Sequence, residues 1–277
     1  MDTPQFNVQA ALEQHHWWFL GKRRILTELV REVLPPSTRT RIVDIGCGTG
    51  GNIAAFADAY TCVGTDPHPE AIQLARRRFP HVQFICGAVP QVLSQIPQPV
   101  ALYLLTDVLE HVEDDRSLFS GIVTTILPGA FVLITVPADM RLWTQHDVSH
   151  GHYRRYDVRR FQRLWADLPL SVLLMSYYNA RLYPIVRCVR TMNRWLGRTN
   201  GAAGTDFQTP PRPVNRLLQA VFASESQVLR QLLAGRRATG FSCGVSLIAL
   251  LRREPDAIRS PVNEMHDIPV SDGRATA

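Results

Sequence analysis

A chain of 277 residues with 45% hydrophobic content can bury a full core and suits one α/β domain with an elaboration. The net charge of +6 rests almost wholly on arginines scattered along the sequence, with Lys22 the only lysine, so it marks no nucleic-acid-binding stripe. The first residues carry no basic segment followed by an apolar stretch, and no later run approaches the ~18 apolar residues of a membrane span, so a cytoplasmic enzyme is expected.

Residues 8 to 34 show apolar positions at helical spacing and stop at Pro35-Pro36, so residues 1–36 read as an N-terminal helical cap. Apolar runs at 41–45, 61–65, 82–86, 100–106 and 130–136 alternate with helical segments, the pattern of a parallel sheet with crossover helices. Runs at 170–177 and 241–251 supply two later strands, so residues 37–180 and 240–253 form the α/β domain. The intervening residues 181–239 are too many for a structureless loop and read as a helical lid or substrate insertion. A helix is expected over 181–197 and another over 214–233, with a Gly/Thr/Pro-rich break between them. The polar tail 254–277 is expected to be disordered. Five cysteines lack the paired short spacing of a zinc site and read as reduced, buried thiols.

The strongest motif is Asp44-Ile45-Gly46-Cys47-Gly48-Thr49-Gly50-Gly51, a strand running into a glycine turn and then a helix. Glycines there let backbone amides and a helix N-terminus approach a nucleoside. Gly46, Gly48 and Gly51 also satisfy the dinucleotide fingerprint, so the glycines alone leave two ligand classes open. Asp44 separates them, because an acid beside the turn repels a pyrophosphate but suits the ammonium and sulfonium of S-adenosylmethionine. Asp66, followed by Pro67, ends the second strand about 20 residues beyond the first glycine, where a carboxylate accepts both ribose hydroxyls or else caps the next helix.

These motifs, with Gly87-Ala88 after the third strand and Thr106-Asp107-Val108-Leu109-Glu110-His111-Val112 after the fourth, resemble in order and spacing those of class I, Rossmann-like S-adenosylmethionine-dependent methyltransferases. His16-Trp17-Trp18-Phe19-Leu20-Gly21-Lys22-Arg23-Arg24 and Gly151-His152-Tyr153-Arg154-Arg155-Tyr156 resemble markers of a bacterial small-molecule and glycan branch. The resemblance implies a seven-stranded, mostly parallel, doubly wound sheet with its last strand antiparallel. It implies adenine recognition by Ala88 and Val89, with Thr106 and Asp107 beside the methyl group. It also implies a leading helix over the cofactor and an arginine for its carboxylate, Arg23 first and Arg24 next. Ala88 departs from the pattern, since many relatives have an acid there.

Methyl transfer needs chiefly alignment and exclusion of water. A hydroxyl acceptor additionally needs a base, for which His111, His146 and His152, with Asp107, are the candidates at the carboxyl edge of the sheet. His146-x-x-x-His150-x-His152 with Asp147 has metal-ligand residue types, but on a loop of undefined shape, and no metal is assigned. Residues 181–198 carry arginines at three- and four-residue steps beside apolar positions, as in a helix that lies on an anionic membrane or binds a lipid- or glycan-linked acceptor. The expectation is a methyltransferase acting on a small molecule or a glycan/lipid intermediate, oxygen acceptor favoured. The alternatives are a noncatalytic S-adenosylmethionine-binding module and an NAD-dependent oxidoreductase.

Overall fold

The structure, a computed structural model, describes residues 3–195 and 209–255. Two helices open the chain, α1 (Thr3–His15) and α2 (Trp17–Val33), in place of the single periodic segment expected over 8–34. The break is at His16, whose ring nitrogen accepts a hydrogen bond from the Trp18 amide at 3.2 Å and caps α2. Along α2 the buried residues Phe19, Lys22, Ile25, Leu26, Leu29 and Val30 recur at helical spacing and face the sheet.

Then follow β1 (Ser37–Ile45), α3 (Gly51–Ala54), β2 (Tyr60–Asp66), α4 (Pro69–Arg78), β3 (Gln83–Cys86), β4 (Leu102–Thr106), α5 (Asp115–Val123) and β5 (Phe131–Pro137). After these come α6 (Gln145–Ser149), α7 (Val158–Arg163), β6 (Leu170–Tyr178), α8 (Tyr183–Trp195), α9 (Arg212–Ala223), α10 (Glu225–Leu233) and β7 (Ser246–Arg253). The seven strands lie in the order β3-β2-β1-β4-β5-β7-β6, with β7 antiparallel to both neighbours and the other pairs parallel. Central strands read as continuous apolar runs because both faces are covered. One face packs Phe119, Ile122, Tyr156 and Phe161 against the sheet, the other Ile25, Leu29, Ile72, Phe222 and Leu229. Sequential strands depart in opposite directions from the β1/β4 pair, which leaves a crevice at their carboxyl ends, the usual ligand site of an open α/β sheet.

The last strand starts at Ser246, later than the expected 241, because residues 241–245 meet β6 through the isolated Tyr177–Phe241 bridge and the Phe241 amide on Ser176 Oγ without forming a continuous ladder. The helix expected over 214–233 is two helices with a break at Ser224. Buried Glu225, whose Oε1 accepts the backbone amides of Ala180 and Arg181 at 2.8 Å each, holds that corner against the end of β6. The insertion therefore divides. α9 and α10 pack on α2 and β6, and only α8 reaches the crevice. The tail expected to be disordered lies outside the described residues from 256 onward, as do 196–208. Of the cysteines, Cys47 and Cys62 are buried thiols, whereas Cys86, Cys188 and Cys243 are exposed, and all are free. No helix among the described residues is long and apolar enough to cross a membrane.

Candidate cofactor and acceptor cavity

A cavity of about 800 Å³ occupies the crevice. At one end its wall is the glycine turn (Gly46, Gly48), Asn52, Asp66, Pro67 and Thr106. At the other it is Asp107, Glu110, His111, His146, His150 and His152. Helix α1 and the start of α2 roof it through Phe6, Gln9, Trp17, Trp18 and Lys22, and α8 closes the side with Val189 and Arg190.

The turn exposes backbone to the cavity where a side chain would intrude. Gly48 sits at φ +52°, and a Cβ there would meet only the Gln9 side chain, in ordinary contact at 3.6 Å. Its amide donates to Asp66 Oδ2 at 3.0 Å, while Asp66 Oδ1 accepts from the His68 amide at 2.9 Å. Asp66 thus stands oriented at the cavity edge; the His68 ring nitrogen also meets its Oδ1 at 2.9 Å, so Oδ2 is the oxygen with a lone pair to spare, and helix α4 begins without a side-chain cap. Glu13 of α1 ties the roof to the turn, accepting from Thr49 Oγ1 at 2.8 Å and Arg78 Nη1 at 2.6 Å.

Five residues expected to hold the cofactor do not line the cavity. Asp44 is fully buried under the turn with both carboxylate oxygens unpartnered, and burial, helped by Asp66 and Glu13 against Lys22, pushes its pKa up to about 8. Gly50, at φ +84°, faces Phe84 and Ala75 and serves the turn's shape. Ala88 accepts the Val92 amide in the turn after β3, and Val89 packs on the core. Arg23 points away from the cavity, donating to the Gly51 carbonyl at 3.2 Å and to the Glu13 carbonyl, and Arg24 is exposed beside Glu28. The cation that the helix turns inward is Lys22, 2% exposed, with Nζ 2.5 Å from Asp107 Oδ2 and 5.0 Å from the Trp18 ring centroid. Asp107 adopts φ +61°, and its other oxygen accepts from Thr135 Oγ1 at 3.0 Å. Both oxygens of this expected catalytic residue are therefore engaged. Asn52, which the sequence did not single out, donates to Thr106 Oγ1 at 2.9 Å.

The histidines gather as expected, though not as a loop cluster alone. His111, from the Leu109–His111 turn after β4, meets His152 edge-on with ring centroids 4.6 Å apart, and His146 lies over His150 at 4.0 Å. A capping box at Thr144 and Asp147 winds α6. The buried Asp147 then accepts from His152 Nδ1 at 3.0 Å and Arg155 Nη2 at 2.8 Å, which holds its carboxyl well below the usual range. Burial, with His152 adding repulsion, lowers the pKa of His111 to about 3, and burial lowers His146 as well. Both are neutral imidazoles at physiological pH. A donor atom from each of Glu110, His111 and His152 lies within 4.8 Å of the other two.

A family model described as "Methyltransferase domain" matches residues 17–174, more than half of the chain. The chain belongs to that methyltransferase family. Curated relatives include trans-aconitate 2-methyltransferases of Variovorax paradoxus, 29% identical over 112 residues (39% of this chain, 42% of the relative), and of Methylobacterium nodulans, 29% identical over 125 residues (44% and 46%). The match spans less than half the length of either. Similar solved structures include the complex between the Trm112 methyltransferase activator of Haloferax volcanii and a methyltransferase, with TM-score 0.53 at 15% identity over 90% of this chain and 95% of that one. A Bacillus halodurans protein solved as a methyltransferase has TM-score 0.51 at 12% identity over 83% and 99%. These structural likenesses show the fold, a class I methyltransferase sheet with flanking helices.

The cofactor of class I methyltransferases is S-adenosylmethionine, and the turn of this methyltransferase suits it. Asp66 Oδ2 keeps a lone pair for a ribose beyond the Gly48 amide, the Gly48 backbone lines the cavity, and the nearby Asp44 carboxylate has no hydrogen-bond partner among the described residues. A ligand carrying ammonium and sulfonium groups favours the ionised form of that buried carboxyl, which a pyrophosphate would oppose.

Proposed function

We propose that this methyltransferase transfers a methyl group from S-adenosylmethionine to an oxygen of a small-molecule acceptor seated against Glu110, His111 and His152. The observation that carries the reading is the continuity of one cavity from the Gly48–Asp66 end to the histidine end, with Thr106 and Asp107 between. Asp66 would hold the ribose and the Gly46–Gly48 backbone the rest of the nucleoside, with the buried Asp44 ionising beneath the bound cation. When bound, S-adenosylmethionine supplies an electrophilic methyl on a positively charged sulfur. The chain's own part is to align the acceptor, to keep water out with α1, Trp17 and Trp18, and to receive the acceptor's proton among the imidazoles.

The acceptor we infer is anionic or carries an anionic group. Arg190 and Arg194 line the chamber from α8, and the curated relatives are trans-aconitate 2-methyltransferases, named for an acceptor that is itself a carboxylate. A lipid- or glycan-linked acceptor is the finer form of this reading. Its support is the row of exposed apolar residues Ile185, Val189, Met192 and Trp195 beside those arginines, a face suited to an acyl tail or a peripheral membrane contact.

The test is incubation with S-adenosylmethionine and a panel of carboxylates, phenols and phosphorylated or lipid-linked sugars, read by mass spectrometry. A gain of one methyl with release of S-adenosylhomocysteine is the expected result. Cofactor binding without turnover on any acceptor class would favour the noncatalytic module, and stabilisation by NAD equal to that by S-adenosylhomocysteine would favour the oxidoreductase.

A further inference from the structure

We propose that Glu110, His111 and His152 form a site for a divalent transition-metal ion, of the zinc, cobalt or manganese class, whose open positions face the acceptor chamber. The proposal deepens the methyl-transfer reading and rests on it for the metal's role, though not for the metal's binding. Three observations carry it. The donor atoms come from two separate loops, after β4 and after α6, and meet within 4.8 Å. A tetrahedral ion with bonds of about 2.1 Å holds neighbouring donors about 3.4 Å apart, so binding draws these side chains together by up to roughly 1.4 Å.

The second observation is the orientation of the rings. His152 Nδ1 is 3.0 Å from Asp147 Oδ1, and Asp147 is itself fixed by Arg155 and by the Thr144 amide at 2.9 Å. A proton held on Nδ1 by that carboxylate leaves a bare lone pair on Nε2. The His111 ring stands edge-on to that of His152, with ring centroids 4.6 Å apart. A carboxylate on the outer nitrogen, as Asp147 is on His152, is the arrangement that orients an imidazole toward a metal. The third is Glu110, which is 1% exposed and has its Oε2 buried without a hydrogen-bond partner. A buried carboxylate oxygen is costly without a donor or cation, and an ion beside two imidazoles satisfies it. Two nitrogen donors and one carboxylate suit a first-row transition ion, whereas magnesium and calcium favour oxygen alone.

In the reaction the ion would bind the acceptor hydroxyl oxygen and weaken its O–H bond. The proton leaves to His146, whose ring centroid is 6.2 Å from that of His152, or to water, and the electron pair stays on oxygen. That pair forms the new C–O bond as the methyl carbon–sulfur bond breaks toward sulfur, giving a methyl ether or ester and S-adenosylhomocysteine with no change of oxidation state.

The test uses the full chain, stripped with chelator and dialysed against Co²⁺ or Zn²⁺, with metal content by elemental analysis, Co²⁺ visible absorption, and S-adenosylhomocysteine affinity by calorimetry. One ion per chain is expected, with Co²⁺ bands free of thiolate charge transfer. Glu110→Gln and His152→Gln should lower metal affinity at least ~10-fold while S-adenosylhomocysteine affinity is unchanged. Absence of a stoichiometric ion in the wild-type chain, thiolate bands that place it on a cysteine, or folded variants binding like wild type would each overturn the proposal. Should a variant fail to fold, the wild-type stoichiometry and spectrum decide. Cofactor binding without metal sinks this inference alone, and metal binding without cofactor sinks the methyl-transfer reading while the site stands.

Discussion

The Lys22 ammonium lies 2.5 Å from Asp107 Oδ2, so a helix at the start of the chain is bonded to the carboxyl end of β4 inside the cavity. Lys22→Met would leave the carboxylate without its cation in a largely buried place, a loss of about 3 kcal/mol in urea unfolding. The double variant Lys22→Met/Asp107→Asn should recover most of it, since neither charge is then stranded. Additive losses in the two single variants and the double would mean the pair is not coupled.

Asp66→Ala should lower S-adenosylmethionine and S-adenosylhomocysteine affinity by about 10²-fold, since charge-assisted bonds to ribose hydroxyls contribute roughly 1.5–3 kcal/mol each. Far-ultraviolet circular dichroism should be unchanged, because within the protein Asp66 meets just the Gly48 amide and the amide and ring of its neighbour His68. Unchanged affinity in calorimetry would reduce Asp66 to a loop clamp.

Asp44 predicts a pH dependence of stability. Its pKa is raised from 3.8 to about 8 by burial, so between those values the folded chain keeps a proton that the unfolded chain has released. Stability then falls as pH rises from about 4 to 8 and levels off above. Asp44→Asn should flatten that slope, its advantage in thermal midpoint growing toward pH 8. S-adenosylmethionine should flatten the wild-type slope too, because a cation near the turn favours the ionised carboxylate. Parallel pH profiles for wild type and Asp44→Asn, read by scanning fluorimetry, would show that Asp44 is not the group responsible.

The sheet was readable because its strands are apolar runs separated by helical periodicity, and the turn because glycines follow one of those runs directly. The inward cation was readable too. Phe19, Lys22, Leu26 and Leu29 share one helix stripe, which puts Lys22 inside and Arg23 about 100° around the helix. Arginine is the residue type suited to a carboxylate, which favours Arg23, whereas the register turns Lys22 inward. The meeting of Glu110 and His111 with His152 was not legible, since it depends on how two loops some forty residues apart lie at the sheet edge. Thr144-x-x-Asp147 carried a capping signal, but nothing local says that Asp147 also orients His152.

Arg190 and Arg194 provide the last prediction, which concerns the acceptor. Both line the chamber, and each also donates to the 141–143 segment, Arg190 to the Leu142 carbonyl at 2.5 Å and Arg194 to the Arg141 carbonyl at 2.9 Å. They could thus serve the acceptor's negative charge or simply fasten α8 to that loop. If they meet an anionic acceptor, Arg190→Gln/Arg194→Gln should raise KM about 10-fold or more, with kcat nearly kept and S-adenosylhomocysteine affinity unchanged. The salt dependence of kcat/KM should weaken along with it, because the attraction being screened has been removed. A fastening role would instead lower the thermal midpoint and leave KM and its salt dependence as in wild type. Steady-state kinetics at two ionic strengths, with the thermal midpoint measured on the same preparations, separates the two outcomes.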